Sequence, residues 1–167
     1  MNRLRQAGYV KRYHTIPTIG NQSVAEHSFH VCMILLDLLQ GEVSNELLKA
    51  ALYHDLPEIE TGDIPATTKW RCKEIGEQLN VLESLFENSH GLKTVLTHSE
   101  RQALKFADMY ELVLYCIDQL ELGNRNMKVV AKRGLNYLTE MQFINERALK
   151  MIRDARYKLM EYDHESE

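Results

Sequence analysis

The chain reads as an all-α protein. Apolar residues recur at helical spacing along several stretches, and two capping boxes, Ser23-x-x-Glu26 and Thr97-x-x-Glu100, mark helix starts. No stretch alternates apolar and polar residues with the period of two that a half-buried strand requires.

Each element follows from local chemistry. Residues 3–9 suit a short helix, and 11–22 an irregular segment broken by Pro17 and Gly20. Ser23 then caps a helix whose stripe is Val24, Val31, Ile34, Leu35, Leu38 and Leu39, with Gly41 as its stop. Ser44 or Asn45 caps a second helix, with Leu47, Leu48, Ala51 and Leu52 expected on its buried side. That helix delivers His54 and Asp55 at its C-terminal end. Pro57 has no N–H and disfavours helix at Leu56, so an irregular loop is expected from there to about Lys69. Ile75, Leu79, Leu82, Leu85 and Phe86 predict a third helix from Trp70 to about Asn88, closed by His90-Gly91. Thr97 opens a long helix to Leu122 that carries Leu104, Ala107, Tyr110, Glu111, Leu114 and Cys116, with Asp108 in its middle and Gly123 as its stop. Two further helices, roughly 125–138 and 140–161, precede a polar tail.

Composition narrows the function. At 167 residues the chain is expected to be one domain, with a full core. With 44% hydrophobic and 26% charged residues it is not of disordered type. Its net charge of −4, with cations spread along the chain, argues against a nucleic-acid polymer as partner; a small anionic ligand needs only a few placed cations. Cys32, Cys72 and Cys116 are odd in number and far apart, as expected of free thiols in a reducing compartment. Met1-Asn2-Arg3-Leu4-Arg5 is not followed by a signal-type apolar core, and the longest apolar run, Val31 to Leu36, is too short to span a bilayer. A cytoplasmic protein with no membrane partner is expected.

The chemistry concentrates at Tyr53-His54-Asp55-Leu56-Pro57-Glu58. Adjacent on a helix, His54 and Asp55 point about 100° apart, and at a helix end both can converge on one ion. A lone His-Asp pair is usually structural. Here it is joined by His27, just inside a capped helix, and by Asp108, a carboxylate among apolar neighbours.

Taken in order, Arg12-Tyr13, Val24-Ala25-Glu26-His27-Ser28, His54-Asp55 with Glu58, Thr61-Gly62-Asp63-Ile64-Pro65 with Lys69, and Ala107-Asp108 resemble the HD-domain metal phosphohydrolases. Within them, the pattern is similar to the 5′-deoxynucleotidase branch, which includes small phage-type enzymes akin to dATP triphosphohydrolases. The resemblance spans about 11–122 of a single HD-type helical domain covering 1–167, the remaining helices being C-terminal. It implies that His27, His54, Asp55 and Asp108 hold a divalent transition metal. Two imidazoles and two carboxylates suit Mn, Co, Fe, Ni or Zn, and the lack of thiolates argues against a structural zinc. Mg on the substrate phosphates is a further expectation.

The resemblance also implies roles around the metal. Asp55 and Glu58 are the candidate catalytic pair, with Glu58 in acid–base work. Lys11, Arg12 and Lys69 are candidate phosphate partners. Tyr13, where close relatives tend to carry tryptophan, could stack on a base, and Thr15 falls near the sugar. Asp63 could orient Lys69 or its loop, touch the sugar, or cap a turn. His30 could support a ligand or simply face solvent; His14, His90, His98 and His164 receive no role.

The expected reaction is hydrolysis of a 2′-deoxynucleotide by metal-activated water. A dATP-like triphosphate cleaved at the α-phosphorus would give deoxynucleoside and triphosphate, with action on di- and monophosphates also open. The alternatives are a 5′-deoxynucleotidase acting on monophosphates and a non-catalytic nucleotide-binding sensor. A homo-oligomer is expected.

Overall fold

The structure is a computed structural model that describes residues 3–141 and 145–162, without the side chains of Ala66 and Trp70. The polar tail beyond Tyr162, with His164, lies outside the described residues. A 3-10 helix over Arg3–Tyr9 is followed by α1 (Val24–Leu38), α2 (Asn45–Tyr53), α3 (Glu58–Thr61), α4 (Ala66–Arg71), α5 (Lys73–His90) and α6 (His98–Glu121). A 3-10 turn, Arg125–Met127, leads into α7 (Lys128–Glu140) and α8 (Glu146–Glu161). Among the described residues the only β pairing is an isolated antiparallel bridge between Lys11 and Ser23, and no helix is long and apolar enough to cross a membrane.

Both capping boxes form: the Ser23 and Thr97 hydroxyls accept from the amides of Glu26 and Glu100, whose carboxylates return to the cap amides. Ser44 caps α2, and Gly91, in the left-handed region at φ 65°, closes α5. Helix α6 is the axis of the molecule. Helices α1 and α7 pack along it, α2 against α1, and α8 against α7 and α6. The main core joins Val31, Leu35 and Leu38 of α1 to Phe106, Val113 and Ile117 of α6, with Leu138 and Ile152 beyond. A second, smaller core gathers Ala7, Val24, Leu56, Phe86 and Leu92.

Three expectations are corrected. The segment from Pro57 to Lys69 is not one irregular loop but holds the single-turn helix α3 and the start of α4. Pro57 sits at the N-cap of α3, where its missing N–H costs nothing. The third helix does not start at Trp70: the chain bends at Cys72, which is extended (φ −132°, ψ 99°), and separates α4 from α5. Buried faces also differ. On α2, Leu52 is exposed and Ala50 takes its place inside. On α5 only Leu79 and Phe86 are buried, while Ile75, Leu82 and Leu85 face outward, because α5 meets the smaller core and not the α6 bundle.

Helix α7 approaches α6 closely at Gly134. A Cβ there would lie 2.8 Å from Cγ2 of Val113 and 3.1 Å from Cδ2 of Leu112 on α6. Val113 is fully buried and β-branched, so it has little room to turn away. Gly134→Ala should therefore destabilise the protein by about 1–2 kcal/mol, overpacking outweighing the ~1 kcal/mol that alanine adds in helix propensity. Urea denaturation should show a lower midpoint; an unchanged or higher midpoint would mean that α6 and α7 are less tightly apposed.

Candidate metal centre and its surroundings

Three helices bring the centre together. His27 is one turn into α1 and fully buried; His54 closes α2; Asp55 follows it; Asp108 lies in the middle of α6. Donor atoms of His27, His54 and Asp55 all lie within 4.8 Å of one another. The two imidazole Nε2 atoms are 3.3 Å apart, and each is 3.5 Å from Asp55 Oδ2. Asp108 joins through Oδ1, 3.3 Å from His27 Nε2.

The ring orientations decide what can sit there. His27 Nδ1 is 2.6 Å from Glu111 Oε2, and His54 Nδ1 is 2.8 Å from the carbonyl oxygen of Ala51. Both partners are acceptors, so each Nδ1 carries the proton and each Nε2 of a neutral ring presents a lone pair. Two lone pairs and an Asp55 oxygen then face one small volume, with the Asp108 carboxylate against His27 Nε2, an arrangement that repels itself unless a cation or a proton occupies it. The donor set fits a borderline divalent ion. With no metal bound, a proton must serve. Burial alone would lower the His27 pKa, but the bonds to Asp108 and Glu111 prevail and push it up to about 9.

Each of the two candidate carboxylates is paired with a cation. Arg12 Nη1 donates to Asp55 Oδ2 at 2.8 Å, and Lys105 Nζ to Asp108 Oδ2 at 2.9 Å. Burial by itself would raise both carboxyls. At Asp108, the His27 bond and Lys105 reverse this and hold it well below the usual range; at Asp55, His54 and Arg12 do so.

Glu58 opens α3, its amide donating to the Asp55 carbonyl at 3.1 Å. Its Oε2 is buried and, among the described residues, has no partner. Burial, reinforced by the charges of Asp55 and Asp63, pushes its pKa up to about 9 against the pull of Arg12 and Lys69. Beyond Glu58 lies a cavity of about 430 Å³, walled by Ile64, Leu79, Leu82, Leu85 and Phe86 and edged by Lys69 and Arg3. Lys69 Nζ stands 3.8 Å from Glu83 Oε1, at the cavity and away from the ligand cluster.

The segment 11–22 is strapped to α6. Tyr13 stacks on Tyr115, with centroids 4.6 Å apart and planes 6° from parallel. Gln119 pairs with both the amide and the carbonyl of Ile19, and Asn124 donates to the Pro17 carbonyl. Asp63 accepts the Tyr13 amide at 3.2 Å, which ties its loop to the 11–22 segment. One face of the Tyr13 ring, a candidate for stacking on a base, is covered by Tyr115, and the Arg12 guanidinium lies 5.5 Å from the ring centroid. Lys11 and Thr15 sit exposed on the same segment. His30 is mostly exposed, yet its Nδ1 is 3.4 Å from Glu111 Oε1.

Sequence reasoning missed Glu111, Gln22 and Lys105. Glu111 lies three residues after Asp108 and Lys105 three before it, so both share a helix face with a candidate ligand, which was a readable signal. Gln22 had none, because it meets Glu111 only through the fold, at 2.6 Å.

Comparison with known proteins agrees with this geometry. Residues 1–152 match the family described as 5′-deoxynucleotidase YfbR-like. A dATP triphosphohydrolase of Salmonella phage PMBT28 is 32% identical over 160 residues, covering 87% of this chain and 78% of the relative. A 5′-deoxynucleotidase of Vibrio parahaemolyticus is 27% identical over 149 residues, covering 74% of this chain and 76% of the relative. Among solved structures, the HD phosphohydrolase DatZ of cyanophage S-2L, bound to dA and one catalytic Zn2+ ion, superposes with a TM-score of 0.71 at 20% identity over 95% of both chains. The PH0347 protein of Pyrococcus horikoshii superposes with a TM-score of 0.73 at 19% identity, over 93% of this chain and 96% of that one. The cluster of His27, His54 and Asp55, with Asp108 against His27 and Glu58 nearby, thus sits on a fold shared with a solved HD phosphohydrolase, and the chain belongs to the YfbR-like 5′-deoxynucleotidase family.

Proposed function

We propose that this enzyme hydrolyses a purine 2′-deoxynucleoside triphosphate of the dATP type at the α-phosphorus, releasing deoxynucleoside and triphosphate. The observation that carries the reading is the convergence of His27, His54 and Asp55 on one small volume, with Asp108 against His27, beside the Glu58 Oε2, unpartnered among the described residues, and the cavity beyond it. Support for a triphosphate comes from the phage relative, and support for zinc and an adenine nucleoside from the ligands of DatZ. The second reading, phosphate release from a deoxynucleoside 5′-monophosphate, is favoured by the bacterial relatives.

Both readings break the same bond, between phosphorus and the 5′-oxygen of the nucleoside. His27, His54, Asp55 and Asp108 would hold a divalent cation, which when bound would supply Lewis-acid polarisation of a phosphoryl oxygen and a more acidic water. The remaining work falls to the chain. The departing 5′-oxygen is strongly basic and needs a proton. Glu58, kept protonated by burial and by its carboxylate neighbours, is built to donate it. Arg12 commits Nη1 to Asp55, while its buried Nε, unpartnered among the described residues, is left to donate to a phosphoryl oxygen. Lys69 meets phosphate charge at the cavity edge, and the apolar walls receive the nucleoside. Lys11 and Thr15, being exposed, would meet only the outer part of the substrate.

Deoxy- and ribonucleotides at each phosphorylation level, with separate detection of phosphate, pyrophosphate and triphosphate, test the reading. The expected result with Zn, Mn or Co is dATP consumed with release of triphosphate. Preferential release of phosphate from dAMP would install the second reading; no turnover of any deoxynucleotide would reject both. Glu58→Gln should lower kcat by about 10²–10⁴-fold with metal content unchanged. Undiminished turnover would remove Glu58 from the reaction.

The proton held by metal-free His27 predicts a pH dependence. Below about 9 a cation must displace that proton, so apparent zinc affinity should weaken about tenfold per unit as the pH falls from 9 to 7. Chelator-competition titrations measure it; an affinity independent of pH over that range would mean that His27 is not displaced by the metal.

A further inference from the structure

We propose that Glu111 is a positioning residue for the metal centre, and that Gln22 holds it in place. Glu111 would fix His27 in the tautomer whose Nε2 lone pair faces the cation, and so set metal affinity. The inference rests on the reading of His27 as a ligand.

His27 has no exposure, so no solvent can satisfy whichever nitrogen turns away from the cation. That nitrogen, Nδ1, meets Glu111 Oε2 at 2.6 Å. Glu111 is itself only 2% exposed, and a carboxylate buried so deeply is costly unless its oxygens are engaged. Both are. Oε2 takes His27, and Oε1 accepts from Gln22 Nε2 at 2.6 Å with His30 Nδ1 3.4 Å away. A buried glutamate whose two oxygens are spent on a candidate ligand and on a side chain from another segment is a poor stability device, since an apolar residue would fill the space at lower cost. It is well suited to orienting an imidazole and raising its basicity towards a metal.

The charges agree. Arg12 and Lys105 already pair with Asp55 and Asp108, so a divalent cation would leave the cluster with excess positive charge, part of which Glu111 offsets. Position agrees as well. Glu111 lies one turn after Asp108 on α6, so the register of a single helix places one ligand and orients another.

The test uses zinc as the probe on metal-stripped full-length protein. Glu111→Gln keeps the shape and an acceptor oxygen for Nδ1–H. Gln22 can turn its own unpartnered Oε1 to the new amide, so the fold should survive. Zinc binding should weaken about 10–100-fold by chelator competition, and the visible absorption of the cobalt-loaded variant should shift. Gln22→Met, which removes only the support, should give a smaller loss in the same direction. In the zinc-loaded parent, long-range proton–nitrogen NMR should show the His27 proton on Nδ1, a measurement that needs no variant.

Zinc affinity within twofold of the parent for Glu111→Gln, with an unchanged cobalt spectrum, overturns the proposal, as does a His27 Nδ1 without its proton. His27→Ala is the companion variant. If it loses zinc while Glu111→Gln does not, only the positioning role fails. If His27→Ala keeps parental affinity, the assignment of His27 as a ligand has failed with it.

Discussion

An imidazole shut away from water constrains everything near it. Fully enclosed, His27 must have both ring nitrogens answered by protein groups or by an ion. One is answered by Glu111; the other meets His54, Asp55 and Asp108. Those acceptors would repel one another if left without a cation or proton, so the packing that buries His27 and the electrostatics that make the site receptive to a metal are one arrangement. Arg12 and Lys105, paired with Asp55 and Asp108, help to keep those carboxylates ionised.

Helix α6 turns this local constraint into architecture. Asp108, Glu111, Tyr115 and Gln119 follow one another along one face at helical spacing. The first points at the centre, the second at its histidine, and the last two grip the segment that carries Arg12 and Tyr13. Rotating the helix by one residue would disturb all four together. The main core, whose largest members line α1 and α6, is what prevents that rotation.

Most of this frame was legible before any coordinates. Hydroxyl caps paired with glutamates located α1 and α6 because the capping interaction is local and reciprocal, and the candidate ligands stood out as ionisable groups on otherwise apolar helices. What was not legible was what depends on distant contacts. The ring of Tyr13 reads as free until Tyr115 covers it. Leu82 and Leu85 read as buried because their spacing fits an inward face, yet α5 has too little protein beside it to cover them. Helices α3 and α4 are too short to carry a periodic signal, and they form because the chain must turn between Pro57 and Cys72. Glu111 lay between these cases. Its spacing from Asp108 was visible, but a glutamate on a long helix more often faces water, and only its burial revealed otherwise.

The exposed apolar side of α5 divides the surroundings of the reaction centre into two halves with different tolerance to change. On the α6 side, Tyr115 and Gln119 hold the segment that carries Arg12, which in turn pairs with Asp55. On the α5 side, Leu82 and Leu85 line the cavity while remaining open to solvent, with little packed behind them. Changes at such exposed positions usually alter stability by no more than about 0.5 kcal/mol. The cavity wall can therefore be reshaped while the folding free energy stays almost constant, which leaves substrate preference free to drift across descendants of this chain as the hydrolytic apparatus stays fixed.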